Sequence, residues 1–470
     1  MMIMKTCMLL IGLVFTSVFS LSQTIQQRLN SAVQALLKDE QMKHSIMSLY
    51  VVETNTGKVV YNLNEQVGLA PASTQKLFTS VAAFELLGSN YKYKTEIGYD
   101  GEIKNSTLDG NLYIVGCGDP TFGSFRFGST KQEQLKKQIV EAINAAEIKS
   151  IKGNIILDQS KFSYQPLPGG WIWDDIGNYY GAGTWALNWN ENQYDLVLKP
   201  GKSEGDDVSI VDTSMSLNSS SFINLLKTGK ASSGDNGYIY LPPYSTNAFV
   251  TGTEAAGESV TISGAIPDPS FQIKNFLQNI FKENHIDCSG STIVVNEFNT
   301  TNTSHPQKTI TTIYSPSFDS VIYWFLQKSI NLYGEALTKT LAYEKTGFGS
   351  TEKGVEILKD FWNEQGIEKS AINIIDGSGL SPQNRVTTDA LVKVLQYAKT
   401  KQWYNSFYNA LPTYNGTKMK SGTISGAKAF AGYQTSKNGT AYTFAIIINN
   451  IDETKGSIVP KMYKVLDELK

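Results

Sequence analysis

Apolar positions at both ends of the chain follow patterns that predict one mixed unit. Residues 24–38 have helical spacing, and residues 46–65 predict two strands around an Asn-Thr-Gly turn. Near the other end, residues 422–450 hold two β-rich runs joined by a Lys-Asn-Gly turn, and a helical pattern follows over residues 458–470. The two ends therefore predict an α/β (α+β) unit in which helices pack on one sheet.

The middle of the chain differs in residue composition and in its pattern of apolar positions. Residues 201–264 are dense in Ser, Gly, Thr and Asp, with short alternating apolar runs that predict a small β-rich module. The flanking segments NLYIVGCGDPTFG and FQIKNFLQNIFKENHIDCSGSTIVV look like two halves of an α/β domain. We therefore predict three nested units: an outer domain (23–96 and 308–470), an inserted α/β domain (97–200 and 265–307) and a nested β-rich domain (201–264).

The first residues, 1–22, predict a secretory signal peptide. Lys5 precedes a short apolar block that ends in small residues, and cleavage after Ser20 or Ser22 fits. The alternative is a membrane anchor, but an apolar stretch ending near Phe19 falls short of the roughly 20 residues that span a bilayer. We expect a periplasmic or otherwise exported protein, with no transmembrane segment after cleavage.

Composition narrows the choice of partners and chemistry. The 470 residues are 41% hydrophobic and 18% charged, with a net charge of −2, so no basic stripe offers a site for nucleic acid. The mature chain keeps Cys117 and Cys288, as either one disulfide or two buried thiols. His44, His285 and His305 stand outside any metal-binding motif, so we expect neither a metal nor an organic cofactor.

The candidate nucleophile lies in APASTQKLFTS, residues 70–80. Ser73 precedes Lys76 by three residues, and the same spacing at Ser89, Ser350 and Ser425 shows that Ser-x-x-Lys alone is a weak signal. An ordinary helix cap with a solvated lysine is the alternative. Only the first match opens a long apolar run, which predicts a buried helix with both side chains on one face. A helix N-terminus favours a developing oxyanion, and a neutral lysine could take the serine proton.

Two further motifs follow downstream. KSINLYGEAL contains Ser329 and Asn331 as Ser-x-Asn, and MKSGTISG contains residues 420–423 as Lys-Ser-Gly-Thr. Ser-x-x-Lys, Ser-x-Asn and Lys-(Ser/Thr)-Gly in this order are typical of penicillin-binding proteins and class A β-lactamases.

These motifs make the chain similar to the class C low-molecular-mass penicillin-binding proteins, which are D-alanyl-D-alanine carboxypeptidases and endopeptidases. The 256 residues from Ser73 to Ser329 exceed a β-lactamase domain, and this family carries nested domains at that place. GDPTFG, GWIWDD, SPSFDSVIYWFLQKSINLYGEAL and DGSGLSPQNRVT match as well. Ser421 departs from the usual Thr but keeps a hydroxyl, and Pro382 replaces a more polar residue. The resemblance implies a penicilloyl-serine transferase fold, an antiparallel sheet with helices on both faces.

The resemblance also implies roles and partners. Peptidoglycan stem peptides would be substrates and β-lactams inhibitors. Ser73 would attack the D-Ala-D-Ala carbonyl, Lys76 would act as the base, and Ser329 would relay a proton to the leaving amine. Asn331 would bond the substrate amide and orient Lys76, and the positive charge of Lys420 would help to keep Lys76 deprotonated. The other implied binding residues are Lys420, Ser421, Gly422 and Thr423 for the terminal carboxylate and oxyanion, and Asp175 and Tyr180 for the amino end of diaminopimelate.

Two other functions stay open at this point. A β-lactamase needs fast deacylation, yet a Glu-x-x-Leu-Asn element is missing and Ser-Ile-Asn stands in place of Tyr-x-Asn, so β-lactam hydrolysis should be slow. A catalytically inactive peptidoglycan-binding module is disfavoured by the three intact motifs. The motifs leave open the balance between carboxypeptidase and cross-link endopeptidase activity, and the oligomeric state.

Overall fold

The computed structural model describes residues 23–218, 221–300 and 305–470, so the predicted signal peptide lies outside the described residues. The strands, in chain order, are β1 (Ile46–Glu53), β2 (Val59–Leu63), β3 (Lys94–Tyr99), β4 (Glu102–Lys104), β5 (Thr107–Asp109), β6 (Leu112–Gly116), β7 (Ser150–Ile151), β8 (Ile155–Asp158), β9 (Gln193–Lys199), β10 (Ser209–Thr213), β11 (Ser221–Asn224), β12 (Lys227–Gly229), β13 (Asp235–Tyr240), β14 (Asn247–Ala255), β15 (Val260–Ala265), β16 (Asp287–Cys288), β17 (Thr292–Val295), β18 (Lys308–Tyr314), β19 (Ile372–Asn373), β20 (Arg385–Val386), β21 (Thr413–Tyr414), β22 (Thr417–Ile424), β23 (Ala427–Thr435) and β24 (Ala441–Asn449).

The α-helices are α1 (Ile25–Leu37), α2 (Lys76–Leu86), α3 (Gln132–Ala145), α4 (Trp173–Ile176), α5 (Pro269–Glu283), α6 (Phe318–Gln327), α7 (Asn331–Thr346), α8 (Thr351–Glu364), α9 (Thr388–Lys399), α10 (Tyr404–Ala410) and α11 (Val459–Asp467). Short 3₁₀ turns at Ala72–Gln75 and Tyr179–Gly181 matter for the site. None of the helices in the described ranges is long and apolar enough to cross a membrane.

The two ends of the chain share one antiparallel sheet with the strand order β2-β1-β24-β23-β22-β21. Strand β1 lies directly against β24, as the apolar patterns predict. Within β24 the side chains alternate between faces: Ile446 and Ile448 pack in the core under α1 and α11, whereas Ala445 and Ile447 pack in the core shared with α2, α7 and α9. Helices therefore cover both faces, and the predicted fold class is confirmed.

The predicted hairpin near the C-terminus is more divided than the sequence pattern indicates. Its second turn joins β23 to β24 as expected. The first β-rich run, however, contains the end of β22 and all of β23, separated by a tight turn with Gly426 at φ 67°. Lys-Ser-Gly-Thr therefore lies on a strand of its own, next to the hairpin.

A second sheet, in the order β17-β8-β6-β3-β18, forms the middle of the molecule. Strands β3 and β18 pair with each other, so the segments that enter and leave the insertion lie side by side. This pairing crosses the boundaries placed at 96 and 308. Strands β10 and β15 both pair with β9, which lies before the boundary placed at residue 201. The three-domain division itself stays a prediction.

The remaining residues singled out by type have simple environments. Cys117 is buried and Cys288 half-buried, and both thiols are free, so the disulfide alternative is not formed. His44, His285 and His305 are exposed. Across the described ranges, no group of three His, Cys, Asp or Glu side chains could hold a metal ion.

Candidate active site

Ser73 and Lys76 meet where a 3₁₀ turn leads into α2. Ser73 lies in the turn Ala72–Gln75, and Lys76 is the first residue of α2, so the nucleophile precedes the predicted buried helix by one turn. The Lys76 Nζ donates a hydrogen bond of 3.0 Å to Ser73 Oγ. The lysine has no exposed surface, and residues 76–84 of α2 are all buried. The solvated-lysine alternative is therefore wrong.

The Lys76 ammonium has two further acceptors. Its Nζ lies 2.6 Å from Asn331 Oδ1 and 2.7 Å from the Ser378 carbonyl oxygen. Burial lowers the pKa of Lys76 to about 7, against the opposing pull of the negative charges of Asp376 and Glu335. Near neutral pH a large share of Lys76 is thus free of its proton and able to accept one from Ser73.

Asn331 and Ser329 lie where α7 begins. The Asn331 amide reaches Lys76 with its oxygen and donates its Nδ2–H to the Tyr180 carbonyl at 2.8 Å. Ser329 has φ 57°, a left-handed conformation that is uncommon outside glycine. Its buried hydroxyl makes no hydrogen bond within the described part of the chain. A buried hydroxyl without a partner beside the nucleophile is suited to a proton-transfer role.

Strand β22 passes directly against the nucleophile turn. A Cβ atom on Gly422 would stand 2.4 Å from the Pro71 carbonyl oxygen and 2.9 Å from the Ser73 nitrogen, so only glycine permits this approach. Thr423 then projects into the cleft and accepts a 2.5 Å hydrogen bond from Lys428 Nζ. The sequence motif did not single out Lys428 for this place.

Lys420 lies on the same strand, and its side chain is buried. Its Nζ donates to the Ser421 carbonyl at 2.8 Å. Burial, with the nearby charges of Lys76 and Lys428, holds the pKa of Lys420 well below its usual range. We expected the charge of Lys420 to keep Lys76 deprotonated. Burial, and not the charge of Lys420, lowers the pKa of Lys76. The repulsion between the two ammonium groups instead helps to lower the pKa of Lys420.

These elements line one cleft of about 720 Å³. Its wall includes predicted residues from all parts of the sequence: Ser73, Asp175, Tyr180, Ser329, Asn331 and Thr423. Lys76 and Lys420 lie beneath its floor, fully buried. The tertiary fold thus brings the three sequence motifs together with Asp175 and Tyr180 of the inserted segment.

Asp175 and Tyr180 stand on the inserted side of this cleft. Partial burial and the neighbouring Asp174 raise the pKa of Asp175 to about 6. Its carboxylate forms no ion pair with any described residue. Burial, with the charge of Asp175 next, raises the pKa of Tyr180. A half-buried carboxylate without a cation is suited to receive one from a ligand.

Asp376 is a site residue that the sequence analysis did not identify. Its buried carboxylate accepts hydrogen bonds from the Gln75 amide, the Trp171 indole and the Asn384 amide, and from the backbone N–H groups of residues 379 and 381. It therefore joins the nucleophile turn, the insertion and the loop that presents the Ser378 carbonyl to Lys76. An Asp before Gly-Ser-Gly is a turn signal that could have pointed to it.

Glu335 is the second such residue. It lies one helical turn after Asn331 on α7, has no exposed surface, and accepts the Gly377 N–H with both oxygens at 3.1 Å. Burial and Asp376 raise its pKa to about 8. Glu335 therefore helps to hold the loop that Asp376 also stabilises. A glutamate in an otherwise buried helix was the signal available in the sequence.

The fold and site together define a class of protein, the serine acyl-transfer enzymes of the penicillin-binding and β-lactamase type. The chain matches the D-Ala-D-Ala carboxypeptidase 3 (S13) family over residues 29–468. It belongs to this family of serine peptidases.

Individual relatives agree with the family assignment. The chain is 25% identical over 455 residues to a D-alanyl-D-alanine carboxypeptidase of an Actinomadura species, covering 90% of this chain and 81% of the relative. It is 25% identical over 426 residues to a D-alanyl-D-alanine carboxypeptidase of Haemophilus influenzae, covering 84% and 83%. The crystal structure of penicillin-binding protein 4 from Haemophilus influenzae superposes with a TM-score of 0.78 at 22% identity, covering 93% of this chain and 98% of that one. This structural match shows the fold of the chain.

Proposed function

We propose that the protein cleaves the D-Ala-D-Ala bond of peptidoglycan stem peptides through an acyl-enzyme on Ser73. The observation that carries the proposal is the fully buried Lys76, with a pKa of about 7 and a 3.0 Å hydrogen bond to Ser73 Oγ. A base with a pKa near the working pH is the most effective one for activating a serine.

In the proposed acylation, Ser73 Oγ attacks the carbonyl carbon of the penultimate D-alanine while Lys76 takes the hydroxyl proton. The N–H groups of Ser73 and Thr423 stabilise the oxyanion. When the C–N bond breaks, Ser329 passes its proton to the leaving amine of D-alanine and takes the proton held by Lys76, so Lys76 is neutral again. A water molecule then attacks the ester, with Lys76 again as the base, and Ser73 is regenerated.

The terminal carboxylate of the substrate would lie at the Lys420 end of the cleft. Thr423 offers a hydroxyl group in the cleft lining and accepts a hydrogen bond from Lys428 Nζ, and Ser421 lies two residues earlier on the same strand. A carboxylate beside Lys420 favours the charged form of that lysine, so substrate binding itself would load Lys420 with a proton. The pKa of Lys420, which burial and the neighbouring lysines hold well below its usual range in the free enzyme, would then rise.

Penicillin tests the nucleophile, because the β-lactam amide mimics the bond that is cleaved. Intact-mass analysis should show one covalent adduct on the parent chain and none on Ser73→Ala. The matched control is Ser89→Ala, which changes another serine of a Ser-x-x-Lys sequence. An adduct that persists in Ser73→Ala would overturn the proposal.

The same cleft supports a preference for stem peptides with a free amine on the side chain of residue three, as in diaminopimelate. Asp175 would receive the ammonium group, with Tyr180 beside it. An ion pair partly shielded from water contributes about 1–3 kcal/mol, or a tenfold to hundredfold preference over the acetylated form. Because the Asp175 pKa is about 6, the preference should grow as pH rises through that value and the carboxylate becomes charged.

Asp175→Asn should remove most of this preference, measured as the ratio of kcat/KM for free and acetylated peptides. Asp212→Asn, which removes an exposed carboxylate of β10, is the control. An unchanged ratio in Asp175→Asn would make Asp175 a structural residue only.

We also propose that the enzyme is exported and that it accepts D-Ala-diaminopimelate cross-links. The apolar N-terminal segment supports export, and the cleft volume of about 720 Å³ supports a branched substrate. N-terminal sequencing of the protein from the periplasmic fraction should begin after residue 20 or 22. Digestion of cross-linked peptidoglycan should release monomeric peptides.

A further inference from the structure

An exposed tryptophan stands on a supported stack of rings at the edge of the cleft. The Trp173 side chain is 50% exposed, and its ring centroid lies 5.5 Å from that of Tyr240. Tyr240 stacks in turn on Phe249 at 4.4 Å, with the ring planes within 10°. The Tyr240 hydroxyl donates to the Asp174 carboxylate at 2.8 Å. Strands β13 and β14 therefore support Trp173 from below and leave its outer side open.

Three more apolar side chains continue this surface into the cleft. Ile172, Tyr179 and Tyr238 are 44%, 53% and 41% exposed, and all three line the cleft that contains Ser73. We call these three residues with Trp173 the aromatic lip. Exposing large apolar side chains costs free energy, and a cluster of them beside a cleft marks a binding surface.

We infer that the aromatic lip binds the amino-sugar rings of the glycan strand to which the stem peptide is attached. This inference rests on the proposed function, which places the peptide in the cleft. A pyranose ring presents C–H groups on its faces and hydroxyl and acetamido groups at its rim. Aromatic rings suit the faces, and carboxylate or amide side chains suit the rim. Asp174 and Gln193 supply such groups at the same edge of the cleft.

Charge argues against a lipid bilayer as the occupant. Residues 170–181 and 235–241 contain no lysine or arginine, whereas Asp174 and Asp175 directly follow Trp173 in the sequence. Helices and loops that bind membrane surfaces combine their aromatic residues with cations, because the bilayer surface is anionic. A neutral ligand with hydroxyl groups agrees with the acidic surroundings of Trp173.

The test compares two substrates that differ only in the sugar. One is the free pentapeptide, and the other is the same pentapeptide on its N-acetylated disaccharide. We expect the ratio of kcat/KM for the disaccharide form to that for the free form to fall about tenfold in Trp173→Ala, and Trp173→Tyr to restore most of it. The matched control is Tyr314→Ala, which removes another aromatic ring with 50% exposure but outside the cleft lining.

A direct binding measurement separates this inference from the proposed function. Peptide-free glycan strands should bind to the parent and to the Ser73→Ala variant alike, and more weakly to Trp173→Ala. A ratio and a glycan affinity that are the same in Trp173→Ala and in the parent would overturn the inference. So would a Trp173→Ala variant that loses binding to anionic vesicles, or self-association, but keeps glycan binding. Failure of the parent to cleave either substrate would contradict the proposed function instead.

Discussion

A lysine without access to water has lost the solvation that keeps an ammonium group charged. Lys76 is in this position, and burial lowers its pKa to about 7. Two buried carboxyl groups, Asp376 and Glu335, pull that pKa upward. The base is therefore tuned by opposing effects: desolvation favours its neutral form, and the carboxyl groups behind it limit the shift.

At the residue scale we predict a pH profile. The rate of Ser73 acylation should rise about tenfold between about pH 6 and pH 8, because the neutral fraction of a base with a pKa near 7 rises over that range. Glu335→Gln keeps an acceptor for the Gly377 N–H but removes a carboxyl group that, with a pKa of about 8, becomes charged over the upper part of this range and raises the Lys76 pKa. The midpoint of the profile should then move to lower pH. Glu352→Gln, on the exposed side of α8, should leave it in place, and a midpoint that rises in Glu335→Gln would contradict the assignment.

At the scale of elements, the site depends on how closely β22 approaches the turn that holds Ser73. Gly422 makes that approach possible, since the atoms nearest to its missing Cβ are backbone atoms of Pro71, Ser73 and Thr74. Backbone atoms in a buried turn cannot move aside as the end of a flexible side chain can. The strand with the Lys-Ser-Gly-Thr motif can therefore approach the Ser73 turn only because residue 422 has a hydrogen atom in place of a Cβ.

Gly422→Ala should displace β22 from the turn. We expect a loss of about 1–3 kcal/mol in the free energy of unfolding, the usual cost of overpacking. The rate of acylation by penicillin should fall at least about hundredfold, because the oxyanion donors would no longer be aligned. Gly128→Ala is the control, since a Cβ there meets no atom within 4 Å. Thermal unfolding and acylation rates that match the parent in Gly422→Ala would refute the close approach.

At the scale of the whole molecule, the insertion contributes directly to the catalytic side chains. The Tyr180 carbonyl holds Asn331, and the Trp171 indole holds Asp376. Glu191 accepts hydrogen bonds at 2.7 to 2.8 Å from Ser124 and Arg126 of the insertion and from Tyr333, which lies two residues after Asn331 on α7. The insertion and the catalytic helix therefore share a buried, charged link.

Glu191→Gln should weaken this link. The change leaves the Arg126 guanidinium without its buried counter-charge, so we expect a loss of about 2–4 kcal/mol in the free energy of unfolding. A fall in kcat larger than the change in KM should accompany it, because α7 carries Asn331. Glu356→Gln removes an exposed ion pair with Lys353 and should change the free energy of unfolding by less than about 1 kcal/mol. If the two variants lose the same free energy of unfolding, the Glu191 link stabilises the fold no more than an exposed ion pair does.

Much of this protein could be predicted from local sequence. The three motifs identified Ser73, Lys76, Asn331 and the Lys420 strand, because nucleophile, base and donor strand need particular side chains at fixed spacings. Apolar periodicity placed α1, which buries a single face, and near-continuous apolar runs placed β1 and the last hairpin, which are buried on both faces. The resemblance to the family extended this to the fold class and the enzyme type.

Other features depend on contacts that no local pattern records. Asp376 and Glu335 join the site only because helix α7 and the loop after residue 376 meet the nucleophile turn, from which they lie 255 and 302 residues away in sequence. The lone free thiols, the pairing of β3 with β18, and the exposure of Trp173 on the rings of Tyr240 and Phe249 have the same origin. The sequence by itself determined which groups can do the chemistry, because reactivity belongs to side-chain type. Only the tertiary structure decided their pKa values and positions, because burial and long-range packing set both.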